Sequence, residues 1–150
     1  MRIVLIALVF LVCGAAVAEA ASEACFRRPE AVADQGIRYM TEVMVMSDTC
    51  RDETYARFAY RNRAELQSFQ HTLMDRFKRM GGSAQSKLDT FMTHIANESA
   101  LRTGRQDIAQ VCAVAVQFLA TADGLTGPDF RAYIERQVDQ HATDYKLCKN

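Results

Sequence analysis

Between Tyr55 and Met80, the residues Tyr55, Ala59, Asn62, Leu66, Phe69, Leu73, Phe77 and Met80 follow one another at steps of three or four, and all but Asn62 are apolar or aromatic. That spacing places them along one side of a helix, so the segment from about Asp52 to Met80 is expected to be helical with that side turned to a core. Gly81 and Gly82 then stop it. Nowhere does the chain alternate apolar and polar residues over a useful length, and the three-and-four spacing recurs on both flanks. The expected fold class is therefore all-α.

Four further helices follow from the same pattern. One spans about residues 29 to 47, with Pro29 suited to its opening turn and Val32, Gly36, Met40, Val43 and Ser47 along one side. Gly36 weakens it internally. Another spans about residues 83 to 102, with Ser83 or Ser86 as cap and Leu88, Phe91, Met92 and Ile95 inward. The next is expected to open at Thr103, where Thr103 and Gln106 have capping-box spacing, and to run to Ala122. It is apolar around most of its circumference, which marks it as the central helix. The last opens at Thr126 and Pro128 and runs to about Cys148, with Phe130, Tyr133, Ile134, Val138, His141 and Tyr145 on its inner stripe. Short connections favour antiparallel neighbours, so the architecture is a single-domain up-down bundle of about five helices.

The N-terminus sets the compartment. Arg2 precedes the apolar run from Ile3 to Ala18, and small residues around Ala18, Ala20 and Ala21 form an A-x-A-type cleavage site. Residues 1–20 are read as a secretory signal peptide, cleaved after Ala20, and residues 21–150 as the mature domain. Val12 before Cys13 lacks the small residue that a lipidation signal wants. The mature chain is thus expected to be exported, to the periplasm or the extracellular space, with no integral membrane segment.

Cys25, Cys50, Cys112 and Cys148 remain after cleavage, with neither a CxxC pair nor zinc-type Cys/His spacing among them. In an oxidising compartment two disulfides are expected. Cys25 and Cys50 flank a helix about 27 Å long, too far for bridged Cα atoms. Cys50–Cys148 with Cys25–Cys112 is favoured by an up-down arrangement; the alternative, Cys50–Cys112 with Cys25–Cys148, would tie the chain ends together.

The 18 basic and 18 acidic residues balance, which speaks against a nucleic-acid partner. No nucleophile elbow or glycine-rich phosphate loop is present, so nothing suggests catalysis and no cofactor is expected. Arg76, Lys78 and Arg79 fall in the last turn of their helix, where cations favour the negative end without any partner.

Three places remain for ligand chemistry. Met40 and Met44 lie one turn apart and form a thioether pair of the kind that binds Cu(I), although methionine more commonly fills a core. His71 with Asp75 and His94 with Glu98 are helix-spaced pairs on neighbouring helices, ordinarily solvated. Asn62 interrupts its apolar stripe at the height where the antiparallel neighbour carries Glu98, Ser99 and Arg102. Those four residues, rimmed by Arg61 and Arg63 and joined by His141, are the candidate polar pocket; a hydrogen-bonded junction that sets helix register is the competing reading. The expected function is a small exported, non-enzymatic module that binds a protein or small molecule. Metal handling through Met40 and Met44, or carriage of an apolar molecule or lipid, are the alternatives.

Overall fold

The structure is a computed structural model, and it describes residues 25–141, 143 and 145–148. The leader read at residues 1–20 lies outside them. The described residues form a helical bundle of six helices: α1 (Arg28–Cys50), α2 (Thr54–Arg61), α3 (Arg63–Arg79), α4 (Ala84–Gly104), α5 (Ile108–Gly124) and α6 (Gly127–Gln140). No described helix is long and apolar enough to cross a membrane.

The extra helix comes from Asn62. Its backbone, at φ −102° and ψ 12°, leaves helical geometry and divides the expected second helix into α2 and α3. The central helix is also not the expected one. α1 packs against every other helix and buries Ala31, Val32, Ala33, Ile37, Met40 and Val43. α5 instead buries one narrow stripe, Val111, Ala115, Leu119 and Ala122, with Cys112 and Phe118 half-buried beside it, and exposes most of its remaining residues. Its all-round apolarity therefore does not mark a central position.

α1 and α3 approach closely because Gly36 has no side chain. A Cβ there would lie 2.4 Å from Cε2 of Phe69, itself buried against the Phe130 ring at 5.8 Å. Alanine would ordinarily stabilise a helix interior by about 1 kcal/mol over glycine. Here overpacking wins, and Gly36→Ala is expected to destabilise the domain by about 1–3 kcal/mol in urea denaturation. A variant as stable as the parent would mean that α1 and α3 are not in contact at Phe69.

Two helix ends differ from expectation. Thr103 does not open α5; its buried hydroxyl donates back to the Ser99 carbonyl inside α4 at 3.0 Å, and Asp107 caps α5 by accepting from the Gln110 amide at 3.1 Å. α6 ends at Gln140, well short of Cys148.

These shifts decide the disulfides. Cys112 falls in the opening turns of α5, beside Cys50 at the end of α1, and the two are bonded with Cα atoms 5.5 Å apart. α6 finishes beside the start of α1, where Arg28 donates to Asp139 at 2.8 Å. The chain then pairs with Phe26, whose amide donates to the Lys146 carbonyl at 2.8 Å and whose carbonyl accepts from the Cys148 amide at 2.9 Å. Cys25–Cys148 closes there, with Cα atoms 5.0 Å apart. The pairing favoured on sequence grounds is therefore overturned, and the arrangement that ties the chain ends is the one formed.

Arg76 and Arg79 are more than helix-end cations. Arg76 is buried and donates both to Glu30 at 3.0 Å and to the Cys25 carbonyl at 2.7 Å, with its guanidinium 3.7 Å from the centre of the Phe26 ring. Arg79 bonds the other oxygen of the same carboxylate. Lys78 remains exposed beside Asp75.

Candidate functional site

Of the four residues of the expected polar pocket, Asn62 separates from the other three. Asn62 is fully buried and spends its side chain on backbone: its amide donates to the carbonyls of Phe58 and Leu125, both at 3.0 Å, and its oxygen accepts from the Gly127 amide at 2.7 Å. It is thus the junction that holds the α5–α6 turn on the α2–α3 break. Asn62→Ala removes the partner of the Leu125 carbonyl and the Gly127 amide in a partly buried turn, while the Phe58 carbonyl keeps the backbone amide of residue 62. It is expected to cost about 1–3 kcal/mol and to accelerate hydrogen exchange at the Gly127 amide; unchanged exchange would show that the turn is held elsewhere.

Arg61 and Arg63 do not rim a pocket either. Arg61 pairs with Asp123 at 2.7 Å, and Arg63 lies over the Tyr60 ring. His141 is not on a buried stripe but sits exposed just past Gln140, where its amide donates to the Gln137 carbonyl. Its displacement follows from the early end of α6.

Glu98, Ser99 and Arg102 do come together, with α1 in place of Asn62. Glu98 lies 3.7 Å from both Arg38 and Arg102, and Arg102 lies 3.9 Å from Glu42. These charges run alternately along the α1–α4 boundary at separations longer than hydrogen bonds. Ser99 is buried beside this row, and its hydroxyl has no hydrogen-bond partner.

The row borders a groove that the sequence did not suggest. α4 and α5 each lie along α1 but scarcely touch one another, which leaves a furrow of about 440 Å³ between them. Glu42 and Met46 form its floor, Arg102 and Gln106 one wall, and Val111, Val114, Ala115 and Phe118 the other. Behind it stands Tyr39, on the same side of α1 as Glu42 and packed against Phe118 with ring centres 5.2 Å apart. It is buried, and the Tyr133 ring lies beside it with ring centres 5.3 Å apart. Burial first, then the neighbouring Tyr133 and Glu42, raise the phenol above its ordinary pKa, so it stays a protonated donor.

A second furrow, of about 680 Å³, lies at the far end of α1 and is lined by Met44, Tyr55, Ala100, Gly104 and Ile108. Met44 thus borders a surface groove, whereas Met40, one turn earlier, is in the core. His71 and His94 are both exposed, and the described residues contain no group of three or more His, Cys, Asp or Glu that could hold a metal ion.

The outer side of α5 is the largest departure from an ordinary solvated helix. No charged residue occurs from Ile108 to Ala122, and Ile108, Val114 and Val116 are 63%, 78% and 67% exposed. The signal was present in the sequence as the uncharged run, but periodicity alone could not tell an uncovered helix from a buried one. Comparison with protein-family models, curated proteins and solved structures finds no significant match to this chain.

Proposed function

We propose that this chain is a small exported, non-enzymatic binding module that presents the α5 side of its bundle to a partner protein. The observation that carries the reading is the uncharged outer face of α5, where Ala113, Val116 and Ala120 line up beside Val114 with no ionisable group among them. Small monomeric domains rarely leave such a face to water. Export is supported by the leader-like residues 1–20 and the two disulfides.

A photo-crosslinking residue at position 116 tests this directly in cells that export the protein, with Tyr60, 73% exposed on α2, as the control position. A discrete adduct is expected from position 116 that Ala113→Glu abolishes, with none from position 60. Equal labelling from both positions would sink the reading. A second reading, carriage of an apolar small molecule, is favoured by the furrow between α4 and α5 with its largely apolar α5 wall.

A further inference from the structure

We infer that Asn97 is an N-glycan acceptor: during export its side-chain amide takes an oligosaccharide, and the Ser99 hydroxyl completes the triplet that the transferase recognises. The inference rests on the export reading and narrows it to a route through a lumen where such transfer occurs.

Three observations lead to it. The first is the motif. Asn97-Glu98-Ser99 has an asparagine, a residue other than proline and a hydroxyl two places on, and it is the one such triplet in this sequence; Asn62 is followed by Arg63 and Ala64. In the transfer, Nδ2 of Asn97 attacks the anomeric carbon of an oligosaccharide carried on a polyprenyl diphosphate. A C–N bond forms as the C–O bond to the diphosphate breaks; the diphosphate leaves with the bonding electrons, and the nitrogen gives up one proton to a base of the transferase.

The second is access. Asn97 is exposed on α4, its side chain makes no hydrogen bond to a described residue, and it shares the polar outer side of the helix with Thr90, Thr93 and His94. It lines neither the furrow between α4 and α5 nor the one at the far end of α1, so a glycan there grows from polar helix surface and not from a groove.

The third is the hydroxyl itself. Ser99 is 3% exposed, on the buried stripe of α4 with Leu88 and Ile95, and its oxygen has no hydrogen-bond partner. A buried hydroxyl left unpaired destabilises a fold, and alanine is the better helix former, so the packed domain would be served better by alanine at 99. Once α4 packs, the hydroxyl is out of reach. A requirement met on the entering, still unfolded chain accounts for the serine, and it also explains how an acceptor can lie in the middle of a helix.

The test is translation of the full chain, leader included, in the presence of endoplasmic-reticulum microsomes, followed by protease protection and mass. A protected chain carrying one oligosaccharide is expected. Peptide-N-glycosidase F should remove it and, in heavy-oxygen water, leave the isotope on residue 97. Asn97→Gln and Ser99→Ala should both be protected and unmodified, whereas Ser99→Thr, which keeps the hydroxyl, should be modified at least as fully as the parent. Ser99→Ala should also raise the melting temperature of the unglycosylated domain, because it removes the unpaired group. A protected parent chain without sugar would overturn the acceptor assignment and leave export standing. A chain that stays outside the vesicles would overturn export by this route and the assignment with it. Sugar retained on Ser99→Ala, or a lower melting temperature for that variant, would overturn the role given to the hydroxyl.

Discussion

Arg76→Ala is expected to lower the free energy of unfolding by about 3–5 kcal/mol, the cost of breaking a buried ion pair by removing one partner. The side chain does three things at once. It donates to Glu30 at 3.0 Å and to the Cys25 carbonyl at 2.7 Å, and its guanidinium carbon lies over the Phe26 ring, 3.7 Å from the ring centre. Lysine cannot replace a planar group that stacks on an aromatic ring while donating to two acceptors, so Arg76→Lys should recover little. Arg79, more than a third exposed, shares the carboxylate but is expected to contribute less than about 1 kcal/mol, as partly exposed pairs do. A fall in the urea midpoint with an unchanged slope is the result that checks the first value against the second.

The same cluster sets an acid limit. Burial of Glu30 pushes its carboxyl up, but the Arg27 amide and the Arg76 and Arg79 side chains together hold it below the usual carboxylate range. A depressed folded pKa stabilises the protein above the unfolded value, about 4.3, and that stability is lost as pH falls through the lower folded value. Melting temperature should therefore hold on descending to about pH 5 and drop below it. In Arg76→Ala the burial stays while a bond is lost, so the folded value moves up toward the unfolded one and the acid-dependent fall should be smaller.

Removing the Cys25–Cys148 bond by alanine at both positions is expected to cost about 5 kcal/mol in the chain-entropy model, since it closes a separation of 123 residues. The Cys50–Cys112 bond spans 62 and should cost about 4 kcal/mol. Either loss is a large fraction of a small domain's stability. The two differ in where they act. Without the first, the amides of Phe26 and Cys148, which bond across the chain ends, should exchange faster with solvent. Native-like protection there would mean that Phe26 packed edge-on against Tyr145, together with the Tyr145 hydroxyl donating to Asp34 at 2.8 Å, suffices to hold the ends.

Some of what was missed had left a trace. Arg76 follows Phe69 and Leu73 at steps of four and three, which puts it on the buried stripe of its helix. That position outweighs its place in the last turn, and nothing local points to Glu30, 46 residues away. Asn62 was conspicuous as a polar residue on the same stripe, yet its partners are Leu125 and Gly127, more than sixty positions downstream. Gly36 read as a weakness of α1 because the Phe69 ring that fills its place belongs to another helix.

By itself the sequence determined what its local chemistry controls: an all-helical chain, the stop at Gly81-Gly82, the Ser83 cap that accepts from the Ser86 amide, the start of α6 near Thr126, and four cysteines suited to two bonds. Such features depend on neighbours within a turn or two, and spacing records them. Tertiary structure alone decided which cysteines meet, which helix is central and which is left uncovered. Those outcomes depend on contacts between residues tens of positions apart, where closing the chain and excluding water from one face settle what local periodicity leaves open. The furrow between α4 and α5 is of that kind, since it exists only because the two helices rest on α1 without closing on each other.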